Sequence, residues 1–247
     1  MSGTRPKNAI ITGGASGLGL EICRRLSVAG LQCIVFDRNK ELLSSMPFEV
    51  AAYCVDVTDE SAVLNAVQDA AEKYGAIDVL VNNAGSIVSC PVINLLDPSQ
   101  RRHSYKTFKE TTDLNLNSVF LVGSVVAECM VVRRTRGVIV NISSVSACGN
   151  AGQSAYSAAK AGVEALTNTW AKELGPFGIR SVAIAPGFMD TPSTRSALSE
   201  QKLADLAKMT PLRRLGSPGD VASGVLFAIE CEFLTGTTIE IHGGIVL

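Results

Sequence analysis

The chain is 247 residues long, 47% hydrophobic and 18% charged, with 22 glycines; that is the size of one α/β domain and too apolar for a disordered segment. Its 22 basic residues face 23 acidic ones, so it lacks the basic footprint of a nucleic-acid-binding protein. The only histidines, His103 and His242, are too few and too far apart for a His-rich metal site or a histidine-based triad, and no metal site is expected.

The opening MSGTRPKNAII has a basic flank but no long apolar core, so no secretory leader is expected. Runs rich in β-branched residues predict strands at Asn8–Ile11, Gln32–Phe36, Ala51–Val55, Val79–Val81, Val138–Ile142, Ser181–Ile184 and Thr238–Ile241. Each is nearly all apolar, as strands covered by helices on both faces must be. Between them, helical patterns cover about Gly19–Val28, Ser61–Tyr74, Tyr105–Arg133, Ala155–Leu174 and Pro218–Ile229. This alternation predicts an α/β protein: a doubly wound, seven-stranded parallel sheet of the Rossmann type, with right-handed crossovers. No linker divides it and no repeat appears, so residues 1–247 read as a single domain. Two long excursions, 86–104 and 187–210, lie where such folds place substrate loops.

The most lipid-like stretch, Val119 to Val132, carries Ser124 and Glu128 and is too short and polar to span a bilayer. Seven cysteines (Cys23, Cys33, Cys54, Cys90, Cys129, Cys148, Cys231) stand singly and read as small buried hydrophobes of a reducing compartment. A cytoplasmic protein without a membrane or nucleic-acid partner is expected.

The first strand runs into ITGGASGLGLEI. Gly13, Gly17 and Gly19 leave no side chain between backbone and ligand, and the helix start behind them offers N–H groups to a pyrophosphate. The spacing T-G-x-x-x-G-x-G differs from the commoner dinucleotide fingerprint. Its context is nevertheless right: a strand before, a helix after, and an acidic residue, Asp37, closing the second strand about twenty positions on. A carboxylate there accepts from ribose hydroxyls and repels a 2′-phosphate, which points to NAD rather than NADP; the neighbouring Arg38 leaves NADP as the lesser alternative. Asp56, at the end of the third strand, is a candidate for the adenine amino group or for the start of the next helix.

Tyr156 and Lys160, in AYSAAKAG, are one helical turn apart on one face. An ammonium beside a phenol is expected to lower the phenol pKa toward neutrality, making a proton donor and acceptor suited to interconverting an alcohol and a ketone. NISS ends the fifth strand, NNAG (Asn82–Gly85) ends the fourth, and Asn115 lies within the long central helix. Together TGGASGLG, DVTD, NNAG, Asn115, the serine pair, YSAAK and PGFMDTP resemble the short-chain dehydrogenase/reductase family over nearly the whole chain.

The resemblance implies an enzyme in which Tyr156 is the general acid/base and Lys160 holds the cofactor ribose and tunes the tyrosine. It further implies that Asn115 fixes a water in a proton relay and that a serine binds the substrate oxygen. Ile11, Ser16, Leu18, Val57, Asn83, Ala84, Gly85, Pro186, Gly187 and Phe188 fall where the family lines its cofactor cleft, and Thr191 matches the residue that bonds the carboxamide. Family spacing from the tyrosine points to Ser143 as the catalytic serine. Alignment from the strand side points to Ser144 instead, and strand alternation favours the latter.

Within the family the sequence most resembles type II 3-hydroxyacyl-CoA dehydrogenases, through RGVIVN, GQSAYSAAKAG, IAPGFMDTP, FLTGTTIEIHGG and the lengthened 86–104 loop. It next resembles 3-oxoacyl-acyl-carrier-protein reductases, through GNAGQSAY; a hydroxysteroid or other alcohol dehydrogenase is a further alternative. The expected substrate is a 3-hydroxyacyl/3-oxoacyl thioester, with Arg101, Arg102 and Lys106 either meeting CoA phosphates or simply solvated. The family also implies a homotetramer, with the C-terminal GGIVL at a subunit contact. A catalytically idle dinucleotide-binding subunit is the non-enzymatic alternative, and the complete Asn115, Ser144, Tyr156 and Lys160 set argues against it.

Overall fold

Successive residues of the first strand face opposite ways: Ile11 belongs to one apolar cluster and Ile10 to another, and both are fully buried. That double burial recurs across the sheet and dictates helices on both sides. The computed structural model describes residues 7–247; the expected absence of a leader at the extreme N-terminus falls largely on residues outside that range.

Strands are β1 (Asn8–Thr12), β2 (Gln32–Asp37), β3 (Ala51–Cys54), β4 (Ile77–Asn82), β5 (Val138–Ile142), β6 (Arg180–Pro186) and β7 (Thr237–Ile241). The larger helices are α1 (Gly17–Val28), α3 (Glu60–Tyr74), α5 (Ser118–Val132), α6 (Ser154–Leu174) and α9 (Pro218–Glu230); shorter ones are α2 (Lys40–Ser44), α4 (Tyr105–Thr112), α7 (Pro192–Ala197) and α8 (Glu200–Met209). Among the described residues the seven strands form one sheet in the order β3-β2-β1-β4-β5-β6-β7, every neighbouring pair parallel. The doubly wound seven-stranded sheet is therefore present. α1 and α9 cover one face, with Ile22, Leu26, Val221 and Val225 on Val35, Val140 and Ile184. α3, α5 and α6 cover the other, with Val63, Val122, Val126 and Val163 on Ile34, Leu80 and Ile139.

The chain builds outward from β1 to β3 and then returns to β4 on the other side of β1. The connections leaving β1 and β4 part there, opening the crevice in which such sheets bind ligands. β5 and β6 extend the floor of that crevice.

Three expectations are corrected. The long helix predicted over Tyr105–Arg133 is broken by one turn of π-helix, Asp113–Asn117, between α4 and α5. Periodicity cannot register such a one-residue insertion, and π turns frequently sit at functional sites. Burial on both faces fails at the sheet edges, where β3 and β7 are half-exposed. The cysteines are free thiols, but Cys54 and Cys148 are exposed and only Cys23 and Cys33 are fully buried; Cys54 lies on an outward position of edge strand β3.

The run Tyr105–Val132 is long and apolar enough, by length and composition, to cross a membrane. In the fold its apolar residues Val119, Val122, Val126 and Met130 are buried in the α3–α5–α6 layer, so its hydropathy is that of a core helix.

Candidate active site

The glycine turn after β1 is held from behind. Thr12 Oγ1 accepts from the N–H groups of Asn83 and Ala84, both at 3.0 Å, and the Asn83 amide donates to the carbonyls of Thr12 (3.0 Å) and Gly13 (3.1 Å). Asn83, expected at the cofactor, thus spends its side chain bracing the turn. A Cβ on Gly19 would stand 2.1 Å from the Gly13 carbonyl oxygen, so only glycine lets the helix start this close to the strand. Gly17 has φ +53° and open space where a Cβ would project.

Ser16 precedes α1 in extended conformation and makes no side-chain cap. By contrast Asn39, Asp59, Ser104, Thr191, Ser199 and Ser217 each cap their own helix. Among the described residues no side chain meets the N–H groups of the first turn of α1, the arrangement that a bound pyrophosphate completes. The residues present fit a dinucleotide.

At the end of β2, Asp37 is fixed by its backbone neighbours: one carboxylate oxygen accepts from Ala15 N–H at 3.2 Å and the other from Asn39 N–H at 3.0 Å. Lone pairs remain on both for ribose hydroxyls. Asp56 accepts from the Thr58 hydroxyl (2.7 Å) and N–H (2.9 Å). These bonds, Thr58's hydroxyl first and with help from Arg38, hold its carboxyl below the usual range. Capping of α3 falls to Asp59, so the alternative role for Asp56 is filled by its neighbour. A cleft of about 910 Å³ opens here, lined among others by Arg38, Asp56, Ser86, Thr111 and Asp113. Val57 is buried beside it.

The second cluster stands where β5 meets α6. Lys160 is fully enclosed, and its Nζ donates to the Ile142 carbonyl at 2.8 Å. Burial lowers its pKa from 10.5 to about 8. Its Nζ lies 5.6 Å from the centre of the Tyr156 ring. The expected lowering of the tyrosine is not found: burial pushes the Tyr156 phenol up, and a hydrogen bond shared with Ser144 pulls it back only in part. Desolvation governs the shift because the Lys160 ammonium is directed at the Ile142 carbonyl rather than at the phenol.

The two serines are separated by strand alternation. Ser143 Oγ donates to Glu164 Oε1 at 2.7 Å, away from the tyrosine. Ser144 Oγ accepts from Ser146 N–H at 3.1 Å and meets Tyr156. The π turn turns the Asn115 side chain inward, where its amide donates to the carbonyls of Ser86 (3.0 Å) and Thr111 (2.9 Å) and its oxygen accepts from Ser86 N–H (3.2 Å). Gly85 lies between Asn115 and Lys160: a Cβ there would stand 2.7 Å from the Asn115 oxygen and 3.7 Å from Lys160 Nζ. Asn115, Ser144, Tyr156 and Lys160 are thus brought to one corner of the crevice.

The third wall follows β6. Pro186 ends the strand, and Gly187 packs so closely on β7 that a Cβ would reach 2.8 Å from the His242 backbone. The Phe188 carbonyl accepts from Gly216 N–H at 2.9 Å. Thr191 is buried, its hydroxyl accepting from Thr194 N–H at 3.1 Å as the cap of α7. In the 86–104 loop, Arg101 and Arg102 are exposed, and Lys106 on α4 pairs with Glu110 at 3.8 Å. Of the C-terminal GGIVL, Ile245 is buried within the chain itself and Val246 is exposed.

One set of groups escaped the sequence reading. Asn82 donates to Asn141 (2.9 Å), and Asn141 donates to Thr167 (2.9 Å), a buried polar chain tying β4 through β5 to α6. Its signal was an asparagine near the end of each of two neighbouring apolar strands.

Residues 7–202 match the short chain dehydrogenase family. The chain is 38% identical over 251 residues to the 3-oxoacyl-(acyl-carrier-protein) reductase FabG of Thermotoga maritima, covering 98% of each chain. It is 38% identical over 248 residues to the human 3-hydroxyacyl-CoA dehydrogenase type-2, covering 96% of this chain and 94% of that one. Among solved structures, a single-residue variant of the actinorhodin polyketide ketoreductase with NADPH superposes with a TM-score of 0.87 at 31% identity, covering 97% of both chains.

Proposed function

Since the chain belongs to the short-chain dehydrogenase family, we propose that this oxidoreductase is NAD-dependent and interconverts a 3-hydroxyacyl and a 3-oxoacyl thioester. The observation that carries the reading is the convergence of Ser144, Tyr156 and Lys160 at the end of β5, in the crevice that Asp37 and the uncapped start of α1 flank. The substrate class rests on the names of relatives similar over nearly their whole length.

A bound nicotinamide supplies or accepts the hydride and, when oxidised, brings a positive charge to the corner. Gly13, Ser16, Gly17, Leu18 and Gly19 would hold the pyrophosphate and Asp37 the adenosine ribose, with Arg38, Asp56 and Val57 about the adenine. Ala84, Gly85, Pro186, Gly187, Phe188 and Thr191 would complete the cofactor walls, with the Asn83 side chain behind them bracing the turn. Ser144 holds the substrate oxygen, and Tyr156 gives it a proton when a ketone is reduced or removes one when an alcohol is oxidised. Lys160, able to lose and regain a proton near pH 8, returns Tyr156 to its starting state. Asn115, held by the Ser86 backbone, would fix a water that continues the proton relay from Lys160. Burial of the Tyr156 phenol favours its protonated form, which is the form that ketone reduction requires.

The test is the fall in reduced-cofactor absorbance when NADH and acetoacetyl-CoA are added. Turnover is expected, with kcat/KM for NADH above that for NADPH. No turnover across a panel of 3-oxoacyl thioesters, with NADH still bound, would leave the idle-subunit reading. Asp37→Ser is expected to shift the preference toward NADPH about tenfold by removing the carboxylate that opposes a 2′-phosphate. The second reading, NADP as the natural cofactor, is favoured by Arg38 beside that strand end, and NADPH preference in the unaltered protein would establish it.

The protein also reads as a homotetramer of one domain in a reducing, cytoplasmic setting. Phe120 and Val132 on α5 are exposed apolar residues that such an assembly would cover.

A further inference from the structure

Ser143 has no place in the chemistry above, yet it is 2% exposed and its hydroxyl is hydrogen-bonded to a carboxylate. Oγ donates to Glu164 Oε1 at 2.7 Å, with the Lys160 carbonyl as a longer acceptor at 3.4 Å. Its N–H donates to the Ile184 carbonyl at 2.7 Å, prolonging the β5–β6 ladder by one residue. A hydroxyl bonded to a carboxylate is the stronger kind of neutral-to-charged hydrogen bond, and burial strengthens it further.

Lys160 and Glu164 are one turn apart on α6, the helix that also carries Tyr156. The single proton of this hydroxyl goes to Glu164, tying the end of the strand to the catalytic helix one turn beyond Lys160. Asn141, two residues earlier on the same side of β5, makes the next stitch to Thr167 at 2.9 Å. From the other direction Lys160 Nζ bonds the Ile142 carbonyl at 2.8 Å. These ties set how the strand end lies against α6. Ser144 follows directly, extended at φ −166° and ψ 151°, so its side chain points the opposite way from Ser143 and meets Tyr156.

We propose that Ser143 and Glu164 form a positioning pair that aims Ser144 at the Tyr156 hydroxyl by locking the end of β5 to the catalytic helix. The pair touches no substrate and acts through Ser144. The proposal rests on the functional reading above, in which Ser144 holds the substrate oxygen. Near-attack geometry is sensitive to displacements well below the length of a bond, so loosening this corner costs turnover rather than cofactor affinity.

The experiment is steady-state kinetics with NADH and acetoacetyl-CoA on a set of variants, with Tm measured for each. Ser143→Ala and Glu164→Leu are each expected to lower kcat about tenfold with KM for NADH unchanged. The double variant is expected to be no worse than either single one. Ser143→Thr and Glu164→Gln, which keep a donor and an acceptor, are expected to restore most of the rate. Ser143→Ala added to Ser144→Ala is expected to change nothing further, because the group being aimed is already gone. Full activity in Ser143→Ala, additive losses in the double variant, or a further loss in the Ser144→Ala background would each overturn the pair. So would a loss explained by a lowered Tm alone. If Ser143→Ala abolishes turnover while Ser144→Ala retains it, the assignment of the oxygen-binding serine itself fails, which is a separate outcome from loss of the pair.

Discussion

The corner between β5 and α6 and the loop at 86–104 break the usual rule of burial in opposite directions. At the corner, Asn115, Asn141, Ser143, Tyr156 and Lys160 are buried although polar or ionisable. In the loop, Val92, Ile93, Leu95 and Leu96 are exposed although apolar, Leu96 at 94%. The corner is dense with hydrogen bonds from two strands and a helix. The loop has one antiparallel bridge, Ile93 with Arg102, and the short bonds beside it. The contrast separates two tasks. Proton handling needs groups held in one geometry away from water, so stability is given up there. In the proposed function, substrate choice needs apolar surface left free for a ligand to cover, and the exposed apolar surface here sits on a connection rather than on the sheet.

The sharpest way to break this division is Tyr156→Phe, expected to lower turnover about a thousandfold while NADH still binds, as measured by fluorescence titration. Retained activity would remove the corner from the chemistry. Lys160→Met should also abolish most turnover, and it is expected to raise stability. The Lys160 pKa is about 8 in the folded chain against an ordinary 10.5, so the unfolded chain binds the extra proton between those values. Stability of the unaltered protein is therefore expected to climb as pH rises from about 8 to 10.5 and to carry the full cost of burial below 8. That cost is about 3 kcal/mol. After loss of the hydrogen bond to Ile142, the methionine variant is expected to gain about 2 kcal/mol at neutral pH, or about 5 °C in Tm. Calorimetry across this pH range checks both the sign and the window.

The loop offers the smaller effect. Leu95→Ser combined with Leu96→Ser is expected to raise KM for a long 3-oxoacyl-CoA about fivefold, at roughly 1 kcal/mol of apolar contact. KM for acetoacetyl-CoA and Tm should stay unchanged. An equal rise for the short substrate would show that the loop does not read chain length.

Much of this was legible in sequence because it rests on local periodicity. The seven apolar runs, the glycines at 13, 17 and 19, the acidic end of β2, and the one-turn spacing of Tyr156 and Lys160 all follow from neighbours in the chain. Strand alternation sends the Ser143 and Ser144 hydroxyls in opposite directions, which is what the hydrogen-bond partners of the two residues show: Glu164 for one and Tyr156 for the other. The misses share a cause. The π turn at Asp113–Asn117, the Asn82–Asn141–Thr167 chain, the Ser143–Glu164 bond and the exposure of Cys54 depend on what lies opposite a residue, and no pattern within its own segment records that.

The amino-acid sequence by itself determined the parallel sheet, its order of elements and the residue types available for hydride and proton transfer, since these come from hydrophobic period and turn chemistry. Tertiary structure alone decided the state of those residues. Enclosure at the β5–α6 corner, rather than the lysine next to it, governs the Tyr156 phenol, and the same enclosure brings Lys160 to about 8. The physical reason is that an ionisation free energy depends on how much water surrounds the group, and that is set only when distant segments close over it.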